Sequence, residues 1–144
     1  DDPTHLKNSQ GLVLPGVGAF GQAMFNLKNK KIITSLKSAV LDHNIPILGI
    51  CLGMQLLSDK SSEMGNHLGS SLIPGETCKI PDLEGFKLPH IGWNNIQISK
   101  RTPLFSNIAE SSSFYFVHSY RFMSDPKYIS GTATYQSAPP AVQI

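Results

Sequence analysis

The longest apolar stretch of this chain, Ile45 to Leu57, is broken by Pro46, Gly49, Gly53 and Gln55. Those breaks decide what it can become. It falls short of the roughly 20 apolar residues that a membrane-spanning helix needs, and its glycines interrupt any continuous helix. Ile45-Pro46-Ile47-Leu48-Gly49-Ile50 instead reads as a strand buried on both faces, with Pro46 tolerated at its start. Upstream, Gly11-Leu12-Val13-Leu14-Pro15 is a shorter apolar run that enters the glycine-rich turn Gly16-Val17-Gly18-Ala19-Phe20-Gly21. Between the two runs, Ile32, Ile33, Leu36, Ala39 and Val40 recur at helical spacing, and Asn44 offers a stop. Strand, crossover helix and strand make a βαβ unit, so the strands should run parallel with a right-handed crossover.

The pattern changes after Gly53-Met54-Gln55-Leu56-Leu57, which opens a short helix. Gly65 to Gly75 is loop-like, and Trp93 to Ile98 is a strand candidate. From Ser113 to Phe122 the chain alternates, with Phe114, Phe116, His118, Tyr120 and Phe122 on one face and Tyr115, Val117, Ser119 and Arg121 on the other. Tyr128 to Tyr135 is a further strand candidate. The expected fold class is α/β, doubly wound around a mainly parallel sheet, with a β-rich second half. A length of 144 residues without internal repeats fits one domain, 1–144.

Charge narrows the functional classes. Twelve basic residues against ten acidic ones leave a net charge of +2, and the densest basic stretch is only Lys28-Asn29-Lys30-Lys31. Neither a nucleic-acid partner nor a membrane is expected. Two unlike cysteines make no disulfide framework, and a reducing, cytoplasmic setting is the default. The Cys and His residues are too scattered for ligand spacing, and no Lys-Ser/Thr follows Gly18 as a phosphate loop would require. We expect no metal and no cofactor.

Gly49-Ile50-Cys51-Leu52-Gly53 carries the chemistry. It matches the nucleophile elbow with Cys in place of Ser. A nucleophile lifted onto a sharp strand-to-helix turn needs neighbours without bulk two places either side. A helix starting just beyond the sulfur favours a nucleophilic thiolate. The amide of Leu52 then points to where an oxyanion develops. Both glycine-rich turns end apolar strands, so both should meet at the carboxyl edge of the sheet, where ligands bind in such folds. Cys78 lacks the flanking glycines and reads as an inert thiol, while His5, His43 and His67 read as surface residues.

These segments also carry a resemblance. Leu14 to Gly21, Gly49 to Gln55, Leu72-Ile73-Pro74-Gly75, Pro89-His90-Ile91-Gly92-Trp93-Asn94 and Phe116-Val117-His118-Ser119-Tyr120 resemble a class I glutamine amidotransferase, from about Asp1 to Ala141. The fold so implied is the flavodoxin-like one of that family. Within the family, the chain is most similar to glutaminase subunits that serve histidine biosynthesis. The resemblance implies that Cys51 attacks the side-chain amide of glutamine, and that amides of Leu52 and Val17 hold the oxyanion. It implies that Gly16, Gly18, Gln55, Glu63 and the backbone at Ser119 and Tyr120 bind the substrate. It further implies a heterodimer with a (β/α)₈-barrel cyclase that receives the ammonia, with His90, Trp93 and Tyr115 at the partner interface.

One expected element is absent. The family's base is a His oriented by a Glu in a His-Pro-Glu segment, and no such segment occurs in these 144 residues. The opening strand of the family is missing as well, so we read the domain as incomplete at both ends. Ala141-Val142-Gln143-Ile144 accordingly reads as the start of a strand. His118 as a substitute base is the lesser reading, because its place beside Ser119-Tyr120 matches a substrate-edge motif. Two alternatives stay open: a related amidotransferase feeding another synthase, such as one modifying a surface sugar, and a catalytically silent docking module.

Overall fold

A computed structural model describes residues 3–82, 87–135 and 142–143. The chain packs as two compact units, Asp1–Glu76 and Thr77–Ile144.

In the first unit a 3-10 turn at Pro3–Asn8 precedes β1 (Leu12–Gly16), α1 (Phe20–Asn29), α2 (Ile32–Leu41), β2 (Ile47–Cys51) and α3 (Leu52–Gln55). β1 and β2 run parallel, in register from Leu12 opposite Ile47 to Gly16 opposite Cys51. Pro46 stands just before β2, where its carbonyl accepts from the amide of Leu12 at 2.8 Å. The crossover holds two helices rather than one. Phe20, Ala23, Met24 and Leu27 supply the stripe of α1, with Phe20 and Met24 buried. The chain turns from α1 to α2 at Lys31, whose φ of 55° is left-handed, and Asn44 at φ 53° follows the end of α2.

Phe20 and Met24 of α1 pack with Leu52 and Leu56, and Leu14 of β1, Leu27 of α1 and Ile33 of α2 close around them. One face of the strand pair is thereby covered. On the other face Val13, Leu48 and Ile50 are exposed. The strand expected to be buried on both faces is thus exposed on one: Leu48 and Ile50 face outward, and Ile47 and Gly49 are half-buried. Two short antiparallel strands, β3 (Lys60–Ser61) and β4 (His67–Leu68), follow, and β4 interrupts the expected loop. His67, read as a surface residue, is half-buried, and its ring lies so close to α1 that a Cβ on Gly21 would stand 2.5 Å from it.

The remaining strands are β5 (Glu76–Lys79), β6 (His90–Ile98), β7 (Ser113–His118), β8 (Tyr120–Met123), β9 (Gly131–Ala133) and β10 (Val142–Gln143). In the second unit β6 pairs antiparallel with β7 on one side and β9 on the other, and β10 adds to β9. β8 is hydrogen-bonded to β5. No α-helix occurs among the described residues of this unit, which bears out a β-rich second half. The long alternation from Ser113 splits at Ser119 into β7 and β8. Tyr128 falls in a 3-10 turn (Pro126–Tyr128), which Asp125 caps by accepting from the amide of Lys127 at 2.9 Å. Among the described residues no helix is long and apolar enough to cross a membrane.

Candidate active site

β2 ends and α3 begins at Cys51, whose side chain is exposed. Its backbone, at φ 55° and ψ −121°, lies where residues with a side chain are strained. Such strain persists only where the surroundings over-determine it. The two flanking glycines do so. A Cβ on Gly49 would stand 2.5 Å from Cα of Met54, and one on Gly53 would run into the carbonyl oxygen of Leu14. α3 thus folds back hard over β2 and against β1, and Cys51 takes up the bend.

Gly16 is the ladder partner of Cys51, so the first glycine-rich turn leaves β1 directly beside the elbow. A Cβ on Gly16 would lie 3.1 Å from the amide nitrogen of Gly53 and 3.2 Å from Cβ of Leu52. Beyond it Val17 is 91% exposed and Gly18 has a φ of +94°, a conformation that glycine adopts without strain. α1 then starts at Phe20 with no capping bond from its own N-cap, Ala19. Glu63 supplies the cap instead: Oε2 accepts from the Phe20 amide at 2.7 Å, and the Glu63 amide donates to Oγ of buried Ser61 at 3.1 Å. A carboxylate suits the positive end of a helix and its free amides. Gln55, half-buried, closes α3 one turn after Cys51.

In the second unit, Trp93 and Tyr115 are cross-strand partners with ring centroids 5.7 Å apart, edge to face. They are 71% and 55% exposed, and the neighbouring pair Ile91 and Val117 is exposed on the same face. The opposite face holds His90 and His118, also cross-strand partners. His90 is fully buried, stacked on Phe116 at 5.1 Å and on Tyr135 at 4.0 Å. Its Nδ1 lies 2.9 Å from Nε2 of His118, and its Nε2 lies 2.8 Å from Oδ1 of Asn94. His118 reaches back through Nδ1 to the carbonyl of Tyr120 at 2.8 Å. Burial pushes the His118 pKa below its ordinary value; the bond to Tyr120 opposes this, and His90 adds to it. Ser119, between β7 and β8, accepts through its carbonyl from Ile80 at 2.9 Å. Among the described residues no group of three or more His, Cys, Asp or Glu is placed to hold a metal ion.

Residues 2–142 match the model of the family described as glutamine amidotransferase class-I. This chain belongs to that family. It is also similar to proteins named imidazole glycerol phosphate synthase subunit HisH. The relative from Moorella thermoacetica is 41% identical over 136 residues, which cover 94% of this chain and 63% of the relative. Those from Campylobacter jejuni and Streptococcus gordonii are each 43% identical, covering 93% and 98% of this chain and 67% of their own lengths. The chain spans about two thirds of the length of the curated relatives it matches.

On this amidotransferase chain the first unit holds Gly16, Val17, Gly18, Cys51 and Leu52 in two adjoining turns, with Gln55 and Glu63 attached to the helices that follow them. Ser119, Tyr120, Trp93 and Tyr115 belong to the second unit. His90 is a correction: expected at a partner interface, its side chain is enclosed by Phe116, Tyr135, His118 and Asn94. Both ring nitrogens of His118 are engaged, Nδ1 by the Tyr120 carbonyl and Nε2 by His90. The His118–His90–Asn94 chain escaped the sequence reading. Its signal was the spacing of His90 and Asn94, which puts both on one face of a strand.

Proposed function

We propose that this chain is the glutaminase part of an imidazole glycerol phosphate synthase, acting in the cytoplasm in histidine biosynthesis. The observation that carries the reading is an exposed cysteine on a strained strand-to-helix bend, in register with the first glycine of a second turn. The Cys51 thiolate attacks the side-chain amide carbon of glutamine. Amides of Leu52 and Val17 hold the oxyanion, and a donor in the site would stabilise it only if placed before the charge develops. Collapse of the tetrahedral species releases ammonia, with a proton delivered to the leaving nitrogen, and leaves a glutamyl thioester. Water cleaves the thioester to glutamate and restores the thiol. In this reading Gly16, Gly18, Gln55, Glu63 and the backbone at Ser119 and Tyr120 hold the two ends of glutamine.

The outward face of β6 and β7 supports a docking role for Trp93 and Tyr115. Four apolar residues, Ile91, Trp93, Tyr115 and Val117, form an exposed two-by-two patch there, and aromatic residues in such patches anchor protein partners. We assign the face to a (β/α)₈-barrel cyclase in a heterodimer. Both units belong, on this view, to one amidotransferase domain, since the family match runs through each of them.

The family reading calls for a His base, and these 144 residues contain no His-Pro-Glu. The test therefore uses the full reading frame that encodes the chain. Glutamate release should be slow for that protein alone and faster with a ligand-loaded cyclase present, and the gene should rescue a histidine auxotroph. Absence of glutamate release under both conditions overturns the reading in favour of a silent docking module.

A further inference from the structure

The hydrogen bonds around His90 and His118 demand one more proton than two neutral imidazoles carry. Three contacts run in a chain: the Tyr120 carbonyl to Nδ1 of His118, Nε2 of His118 to Nδ1 of His90, and Nε2 of His90 to Oδ1 of Asn94. Both ends are acceptors. The peptide carbonyl has no hydrogen to give. The Asn94 amide is oriented by its Nδ2, which donates to the Thr134 carbonyl at 2.9 Å, so that its oxygen faces His90. Each contact thus needs a hydrogen from a ring nitrogen or one shared between rings, three in all, whereas neutral imidazoles bring one each.

We propose that His90 and His118 share one added proton, and that this proton holds the Ser119–Tyr120 segment in place. The link to substrate rests on our reading of that segment as a glutamine-holding element. Without the proton, one of the three contacts faces acceptor to acceptor and opens. His90 is fully buried between two rings, whereas His118 is half-buried. The contact that opens is therefore that of His118 with Tyr120. His90 and His118 then act as positioning residues for the peptide between Tyr120 and Arg121.

The surroundings set the pH at which this happens. From β6 the pair faces Asn94, and from β7 it faces Phe116. From the segment after β9 it faces Tyr135, whose hydroxyl donates to the Lys87 carbonyl at 2.9 Å. From β8 it meets the Tyr120 carbonyl. Among the described residues no carboxylate contacts either ring. Burial opposes the positive charge, and the aromatic faces of Phe116 and Tyr135 offset that only in part. On His118 the proton accordingly goes on below the ordinary histidine value of about 6.5.

The test is a pH titration of the ¹⁵N-labelled chain by NMR, reading the imidazole nitrogens and the Arg121 amide. Support is a single midpoint below about 6.5 shared by both rings and followed by the Arg121 amide. Independent titration of the rings, neutrality of both throughout, or an Arg121 amide that ignores the titration overturns the proposal. His118→Asn places an uncharged donor where Nδ1–H stood, and should hold the Arg121 amide in its acid position at every pH. In the full-length protein with its partner, KM for glutamine should rise about tenfold above the midpoint at constant kcat, as expected for loss of one charge-assisted hydrogen bond. A flat KM beside a titrating pair overturns the positioning role. Absence of glutamine hydrolysis sinks the glutaminase reading alone, because the Arg121 amide still decides the shared proton.

Discussion

Gly16 and Cys51 face each other as the last pair of the β1–β2 ladder. Two chain segments leave the sheet there side by side, one into the Val17–Gly18 turn and one into α3. The helices that follow are joined by a common core, since Phe20 and Met24 of α1 pack on Leu52 and Leu56. A nucleophile and an oxyanion donor on such turns are held by packed elements rather than by a loose loop, which is what preorganised catalysis requires. On the proposed reading, Cys51 is the residue on which activity turns.

Replacing Cys51 with Ala should lower glutamine hydrolysis on the order of a thousandfold or more, as loss of a covalent nucleophile does. Synthesis by the complex from added ammonia should continue unchanged. Both are read in one steady-state assay with either nitrogen source. Continued glutamate release from the variant rejects Cys51 as nucleophile.

The glycines of the elbow should separate two kinds of strain. Gly53→Ala drives a methyl into the Leu14 carbonyl, so β1 and α3 must part. A cost of about 3 kcal/mol is expected, at the upper end for overpacking. Gly18→Ala meets nothing within 4 Å and suffers only from its φ of +94°, which should cost about 1–2 kcal/mol. Urea denaturation of the two variants checks the ranking, and equal costs contradict it.

The contrast explains what could be read from the letters. The Cys51 elbow, the parallel pair and the β-rich second half follow from glycine spacing and from period-two alternation, which are local signals. α1 went unread because Gly21, Gln22 and Asn26 dilute the stripe of Phe20, Ala23, Met24 and Leu27. Burial of Leu48 and Ile50 was expected from their apolarity, yet burial depends on what packs against a face, which apolarity alone does not state. His90 shows the same limit. Beside Trp93 in the sequence it lies on the opposite face of the strand, and its partners come from positions 4 and 28 residues away.

Glu63 should have a structural role separable from any contact with glutamine. Glu63→Ala removes the acceptor for the Phe20 amide and should cost about 1 kcal/mol, the usual value of a lost helix cap. Glu63→Gln keeps an oxygen there and should retain most of the stability, while a substrate contact that needs charge would still be lost as a higher KM. Denaturation midpoints and glutamine kinetics on the same variants distinguish the two effects. Equal destabilisation by both variants contradicts the capping role.

Trp93→Ala should leave the chain's own stability within about 0.5 kcal/mol, because an exposed side chain loses little on truncation. Binding to the cyclase should weaken by about 2 kcal/mol or more, the mark of an aromatic anchor. Tyr115→Ala should act in the same direction, since the two rings pack together across the strands. Titration calorimetry with the purified cyclase measures both. Unchanged affinity in the double variant excludes this face as the docking site.

His118 should make stability depend on pH in one direction. In the unfolded chain it takes up a proton near the ordinary value of about 6.5. In the fold, burial holds that proton off until the pH is lower. Between the two values the unfolded state binds more protons, so stability rises with pH through this window and falls as the solution is acidified through it. Above about 6.5 both states are neutral, and His118 contributes no slope. His118→Asn removes the titration while keeping a donor toward the Tyr120 carbonyl. The difference in urea midpoint between the native chain and this variant should therefore be constant above about pH 7 and shift against the native chain on acidification. A difference that stays constant down to about pH 5 means that His118 is protonated equally in both states, contrary to its enclosure beside His90.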